Sequence, residues 1–181
     1  MRRYDFRHEL AATRGATTDD LVSAALHHAF GHDIVIDSAT EQDDRAGVDY
    51  WVTFPSGQRL GVDLKLRRDH GDAGDVALEI WSAEPSSDLP GRPGWSRDPA
   101  KITDYVLWVW QDVHRYYLAP YPLLRRAFET HYLSWADRFR TARQSSGSWT
   151  STCVFVPIRE LEIAMYHFRR HGIPTYQETA A

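Results

Sequence analysis

Asp49, Asp63 and Lys65 are the residues whose types and spacing could do chemistry in this chain. They stand in Gly-Val-Asp-Tyr-Trp-Val-Thr-Phe-Pro-Ser-Gly-Gln-Arg-Leu-Gly-Val-Asp-Leu-Lys, residues 47–65. Val48, Tyr50, Val52 and Phe54 alternate with Asp49, Trp51 and Thr53, and later Val62, Leu64 and Leu66 alternate with Gly61, Asp63 and Lys65. Strand side chains two apart share a face, so Asp63 and Lys65 project together while their neighbours enter a core. Pro55, Ser56, Gly57 and Gln58 supply turn chemistry between the two runs. The expectation is a β-hairpin that brings Asp49 close to Asp63. Two carboxylates held together repel unless a cation neutralises them, which makes a divalent metal the natural third party.

The Asp-x-Lys tripeptide alone is a weak signal. The chain has only two lysines, Lys65 and Lys101, among 25 acidic residues in 181, and one of them would follow an acid at that spacing about one time in four by chance. A strand context, a second Asp across a hairpin and an acid on the next strand sharpen it. That next strand is expected over Val76 to Ser82, with Val76, Leu78 and Ile80 on its apolar face and Glu79 opposite them. An acid within an apolar strand needs a partner, because an unpaired buried carboxylate is costly. A metal, a water or an arginine would each supply one.

With these residues in place the chain resembles the PD-(D/E)XK nuclease superfamily, the restriction-endonuclease-like fold. Asp49 matches the first acid, Asp63-Leu64-Lys65 the D-x-K element and Glu79 the following acid, over roughly residues 17–120. Val48 stands where the motif's proline would be. The resemblance implies an α/β fold with a central mixed sheet flanked by helices and an α-β-β-β-α-β core. It implies one domain over residues 1–181, with residues 121–181 a helical and strand extension of it. It also implies phosphodiester hydrolysis in nucleic acid, with DNA the favoured substrate, leaving a 5′-phosphate and a 3′-hydroxyl. Asp49, Asp63 and Glu79 would hold one or two Mg²⁺ (or Mn²⁺) ions, with the Leu64 carbonyl as a further ligand, since hard oxygen donors suit these metals rather than zinc. Lys65 would orient the attacking water or stabilise the pentavalent transition state.

The elements that must position these groups can be read along the chain. Thr17 to Asp20, followed by Leu21, Val22, Ala25, Leu26 and Phe30, reads as a capped amphipathic helix ending at Gly31. Ile34 to Ile36 reads as a short extended segment and Asp37 to Arg45 as a polar loop. Residues 84–100, with four prolines, read as a long irregular connection in which Gly94-Trp95 covers the site entrance or anchors the loop, anchoring being the favoured reading. Tyr105 to Trp110 is apolar on both faces, as a central strand would be, and His114 to Ala119 reads as its neighbour. Tyr121 to Arg143 reads as mainly helical, Gln144 to Ser148 as a flexible linker, 152–156 as a strand and 158–171 as a helix stopped by Gly172.

Composition agrees with a globular chain: 43% hydrophobic and 13% aromatic residues are ample for a core. There is no apolar run of membrane-spanning length and no signal peptide at Met1-Arg-Arg-Tyr-Asp, so the expectation is a cytoplasmic protein with no membrane partner. Cys153 is the only cysteine, which fits a reducing compartment. Residues 1–112 carry 12 basic and 20 acidic groups and residues 113–181 carry 9 and 5, so the net −4 is unevenly spread. A nuclease needs only a local basic rim. Arg67-Arg68, Arg92, Arg97 and Lys101 are candidates, as are Arg138, Arg140, Arg143 and Arg169-Arg170.

Other chemistries find less support. His167 and His171 have helical zinc-pair spacing without the H-E-x-x-H pattern. His27, His28 or Asp20, on the first helix, could lend a polar group to the site. No P-loop, nucleophile elbow or dinucleotide fingerprint is present. The competing reading is a catalytically inactive PD-(D/E)XK-like module that binds nucleic acid or protein. A small nuclease without a recognition domain would act as a homodimer or with a partner protein.

Overall fold

Alternation in the sequence becomes strands where one face can be buried. The computed structural model describes residues 4–5, 18–68, 73–86, 90–146 and 149–171. The expected helix cap at Thr17 and stop at Gly172 lie outside these. The chain divides into two compact units, one of residues 1–74 and 98–122 and one of residues 75–97 and 123–181.

The first unit holds a six-stranded mixed sheet. Its strands are β1 (Tyr4–Asp5), β2 (Val35–Ser38), β3 (Tyr50–Thr53), β4 (Arg59–Arg67), then β7 (Tyr105–Trp110) and β8 (Arg115–Pro120), in the order β1-β8-β7-β4-β3-β2. β2, β3 and β4 form an antiparallel meander, and β4 runs parallel to β7. Helix α1 (Thr18–Phe30) lays Leu21, Val22, Ala25 and Leu26 against Val52, Val62, Leu107, Val109 and Leu118. Those helix positions recur at the three-to-four spacing of a single face. Trp108 and its neighbours in β7 are fully buried, as expected of a central strand. Residues 41–45, expected to be loop, form a one-turn helix, α2 (Glu41–Arg45), because Thr40 and Asp43 make a capping box.

The second unit holds a four-stranded antiparallel sheet of β5 (Asp75–Ala83), β6 (Arg92–Pro93), β9 (Thr141–Ser146) and β10 (Trp149–Pro157), in the order β6-β5-β10-β9. Helix α3 (Tyr121–Arg138) precedes β9, and α4 (Ile158–His171) continues directly from β10, burying Ile158, Leu161, Ala164 and Met165. Two sequence expectations are corrected here. The strand after the hairpin exists but does not join the hairpin's sheet: β5 pairs with β10 and β6, while β4 takes β7 as its second neighbour. Residues 141–146, read as helix end and linker, form edge strand β9 against β10. The fold class holds: a mixed α/β chain with a central mixed sheet and helices. No helix among the described residues is long and apolar enough to cross a membrane.

Candidate active site at the base of the β3–β4 hairpin

Antiparallel pairing places the two acids. Tyr50 is registered with Val62 and Trp51 with Gly61, and Asp49, immediately beyond the ladder, lies near enough to Asp63 for the two carboxyl groups to interact. The Asp49 N–H donates to the Val62 carbonyl at 2.9 Å, one residue out of the β3–β4 register, at the end of the ladder. The Asp49 carboxylate then reaches across and accepts the Leu64 N–H at 2.5 Å.

Asp63 is 3% exposed, one of three buried polar side chains among the described residues. Lys65 Nζ lies 2.6 Å from its Oδ1, as the two-residue spacing requires. Lys101 Nζ lies 2.9 Å from its Oδ2. Lys101 is the site residue that the pattern of the hairpin missed: it was expected on a solvated rim, and it is nearly enclosed instead. Gly47, at φ +91°, gives the Lys101 side chain its space, since a Cβ there would come 2.5 Å from Nζ.

Burial is the main reason that the Asp49 carboxyl is pushed up to about 6, with the Asp63 charge adding to it and the Leu64 N–H opposing it. The first unit therefore gathers two carboxylates and two ammonium groups. Oxygen donors of this kind match Mg²⁺ or Mn²⁺, which bind through one or two carboxylates and keep waters and substrate phosphates as their remaining ligands. The raised Asp49 carboxyl is one that a nearby cation would stabilise in its charged form. Among the described residues no group of three or more His, Cys, Asp or Glu side chains is gathered.

Glu79 lies on β5 in the second unit. Its Oε2 accepts the Trp95 N–H at 2.9 Å and its own N–H donates to Ser96 Oγ at 2.9 Å. Gly94 packs so tightly on it that a Cβ would collide with the Glu79 carbonyl, which makes Gly94-Trp95 an anchor of that loop, as expected.

No protein-family model matches the sequence, and no curated protein matches it. One solved structure is similar: a bacterial homing endonuclease, I-Ssp6803I, at 14% identity and a TM-score of 0.41, over 63% of this chain and 73% of that one. A likeness of that size carries no chemistry across. The functional reading rests on the residues themselves.

The remaining candidates are engaged elsewhere. His27 Nδ1 lies 2.9 Å from the Ser23 carbonyl, and His28 sits edge-on to Tyr116. Asp19 reaches a neighbour of the site by accepting the Tyr50 hydroxyl at 3.2 Å. Burial and that carboxylate raise the Tyr50 phenol above its ordinary value. Of the expected basic rim, Arg97 stacks its guanidinium on Tyr132 at 4.1 Å and Trp81 at 5.3 Å. Arg140 covers Phe155, and Arg143 pairs with Glu84. These arginines have structural tasks in the second unit.

Proposed function

We propose that this protein is a divalent-metal-dependent nuclease that hydrolyses phosphodiester bonds in nucleic acid, with DNA the favoured substrate. The observation that carries the reading is the convergence of Asp49, Asp63 and Lys65 at one hairpin base, with Asp49 tied to the backbone of the D-x-K strand. Asp49 and Asp63 would hold Mg²⁺ or Mn²⁺, with the Leu64 carbonyl as a further donor. A bound ion supplies a water of lowered pKa and a Lewis acid for the phosphate.

The chain's own residues do the rest. The β3–β4 ladder fixes the spacing of the two carboxylates. The Leu64 N–H orients Asp49. Lys65, anchored on Asp63 yet 22% exposed, keeps its ammonium accessible to a phosphate oxygen or an attacking water. In this reading the protein works as a homodimer or with a partner that supplies target recognition.

A second reading, the inactive binding module, is favoured by one observation. With Lys65 and Lys101 on Asp63, the two carboxylates are balanced by two ammonium groups without a metal. Cleavage of linear, circular, single-stranded, branched DNA and RNA, with Mg²⁺, Mn²⁺ or EDTA, separates the two. The nuclease cuts at least one substrate only with metal, and the module cuts none.

A further inference from the structure

Lys65 and Lys101 are the chain's only lysines, and all its other Lys/Arg-class cations are arginine. Both ammonium groups lie on one carboxylate, at 2.6 Å from Asp63 Oδ1 and 2.9 Å from Oδ2. The Lys101 side chain is 8% exposed. Burying a charge is costly unless it meets a partner, so its position is set by the surrounding structure.

The segment that carries it is tied down immediately after the lysine, to Ala46 and to Gly61 of β4. The Ile102 N–H donates to the Ala46 carbonyl at 3.1 Å and the Asp104 N–H to the Gly61 carbonyl at 2.8 Å. The Asp104 carboxylate accepts the Gly61 N–H at 2.8 Å, and Thr103 Oγ1 donates to the Gly61 carbonyl at 3.1 Å.

The choice of lysine matters. A guanidinium grips a carboxylate with two parallel hydrogen bonds, whereas an ammonium is a compact charge on a flexible stem. A carboxylate that must later take a metal needs a counter-ion that can leave.

We propose that Lys101 is the resident counter-ion of Asp63: it holds the carboxylate until a divalent cation binds, yields its place to that cation, and so sets the metal affinity. This rests on the metal-dependent reading of the site. Lys101 is then a positioning residue acting through Asp63, with a task distinct from that of Lys65.

The two-lysine composition makes a direct test possible. Protein labelled with ¹³Cε-lysine gives two signals, which Lys101→Met assigns. On titration with Mg²⁺ the Lys101 signal should move toward that of an exposed lysine. Calorimetry with Mg²⁺ and Mn²⁺ should show Lys101→Met binding at least about tenfold more tightly than wild type. Lys101→Gln, which keeps a polar contact and loses the charge, should shift affinity in the same direction and stands in if the methionine variant misfolds. Metal binding to wild type with an unmoved Lys101 signal and no tighter binding in either variant overturns the proposal and leaves the metal site standing. No metal binding in any of the proteins overturns both.

Discussion

The Asp49 carboxylate accepts the backbone N–H of Leu64 at 2.5 Å, across the mouth of the β3–β4 hairpin. Leu64 is the central residue of the Asp-x-Lys element, so this bond joins the first acid to the strand that carries the second. The bond holds the Asp49 carboxylate against the backbone of that strand.

That placement makes Asp49 destabilising at neutral pH. Its carboxyl is raised from 3.8 in the unfolded chain to about 6, chiefly by burial. The folded state therefore binds the proton more tightly. The associated stability is fully present below 3.8 and is lost as pH rises through about 6. Asp49→Asn should raise the melting temperature at about pH 7.5, and by less at about pH 5. Because Asp49 is partly solvated, the gain at neutral pH should be only about 1 kcal/mol. Differential scanning calorimetry at both pH values checks this, and an equal or lower melting temperature in the variant at neutral pH contradicts it.

Asp63 is held by ion pairs instead. It is 4% exposed in its side chain and is shared by two ammonium groups. Asp63→Asn removes the charge that both ammonium groups meet, Lys101 in a nearly buried pair, which should cost about 3 kcal/mol. Lys65→Ala removes only the more exposed of the two cations and should cost about 1 kcal/mol or less. Urea titrations of the two variants should keep that order. Loss of activity in Asp63→Asn therefore has to be read against its stability, whereas loss in Lys65→Ala reports on chemistry.

Gly47 is required twice over. Its φ of +91° disfavours any other residue, and a Cβ would come 2.5 Å from Lys101 Nζ. Gly47→Ala should cost about 2 kcal/mol. Combined with Lys101→Met, whose side chain ends in a flexible thioether, the cost should be less than the sum of the two single effects. Strict additivity in a double-mutant cycle would show that the two positions do not meet.

Glu79 has a defined structural task in its bond to the Trp95 N–H. Glu79→Ala should lose about 2 kcal/mol, the range of a hydrogen bond to a charged group. Urea titration of the variant checks this, and an unchanged midpoint contradicts it.

The hairpin was legible because strand periodicity fixes which side chains share a face, and Asp49, Asp63 and Lys65 are placed by that rule alone. Alternation also identified the strand around Glu79. It cannot name a strand's partner, and β10, which pairs with β5, arrives only after a long helix. β9 was missed because Thr-Ala-Arg-Gln-Ser-Ser has no apolar face; residues 141–145 of this edge strand are exposed. Lys101 follows a proline-containing irregular segment, where no period applies. The one signal that could have drawn attention to it was its residue type, a lone second lysine in an arginine-rich chain.

The most direct test of the account compares wild type with Asp49→Asn on the panel of DNA and RNA substrates, with Mg²⁺, Mn²⁺ or EDTA. The account predicts metal-dependent cleavage by wild type and none by the variant, although the variant is the more stable protein at neutral pH. Cleavage by Asp49→Asn at the wild-type rate, or no cleavage by wild type with either metal on any substrate, would contradict it.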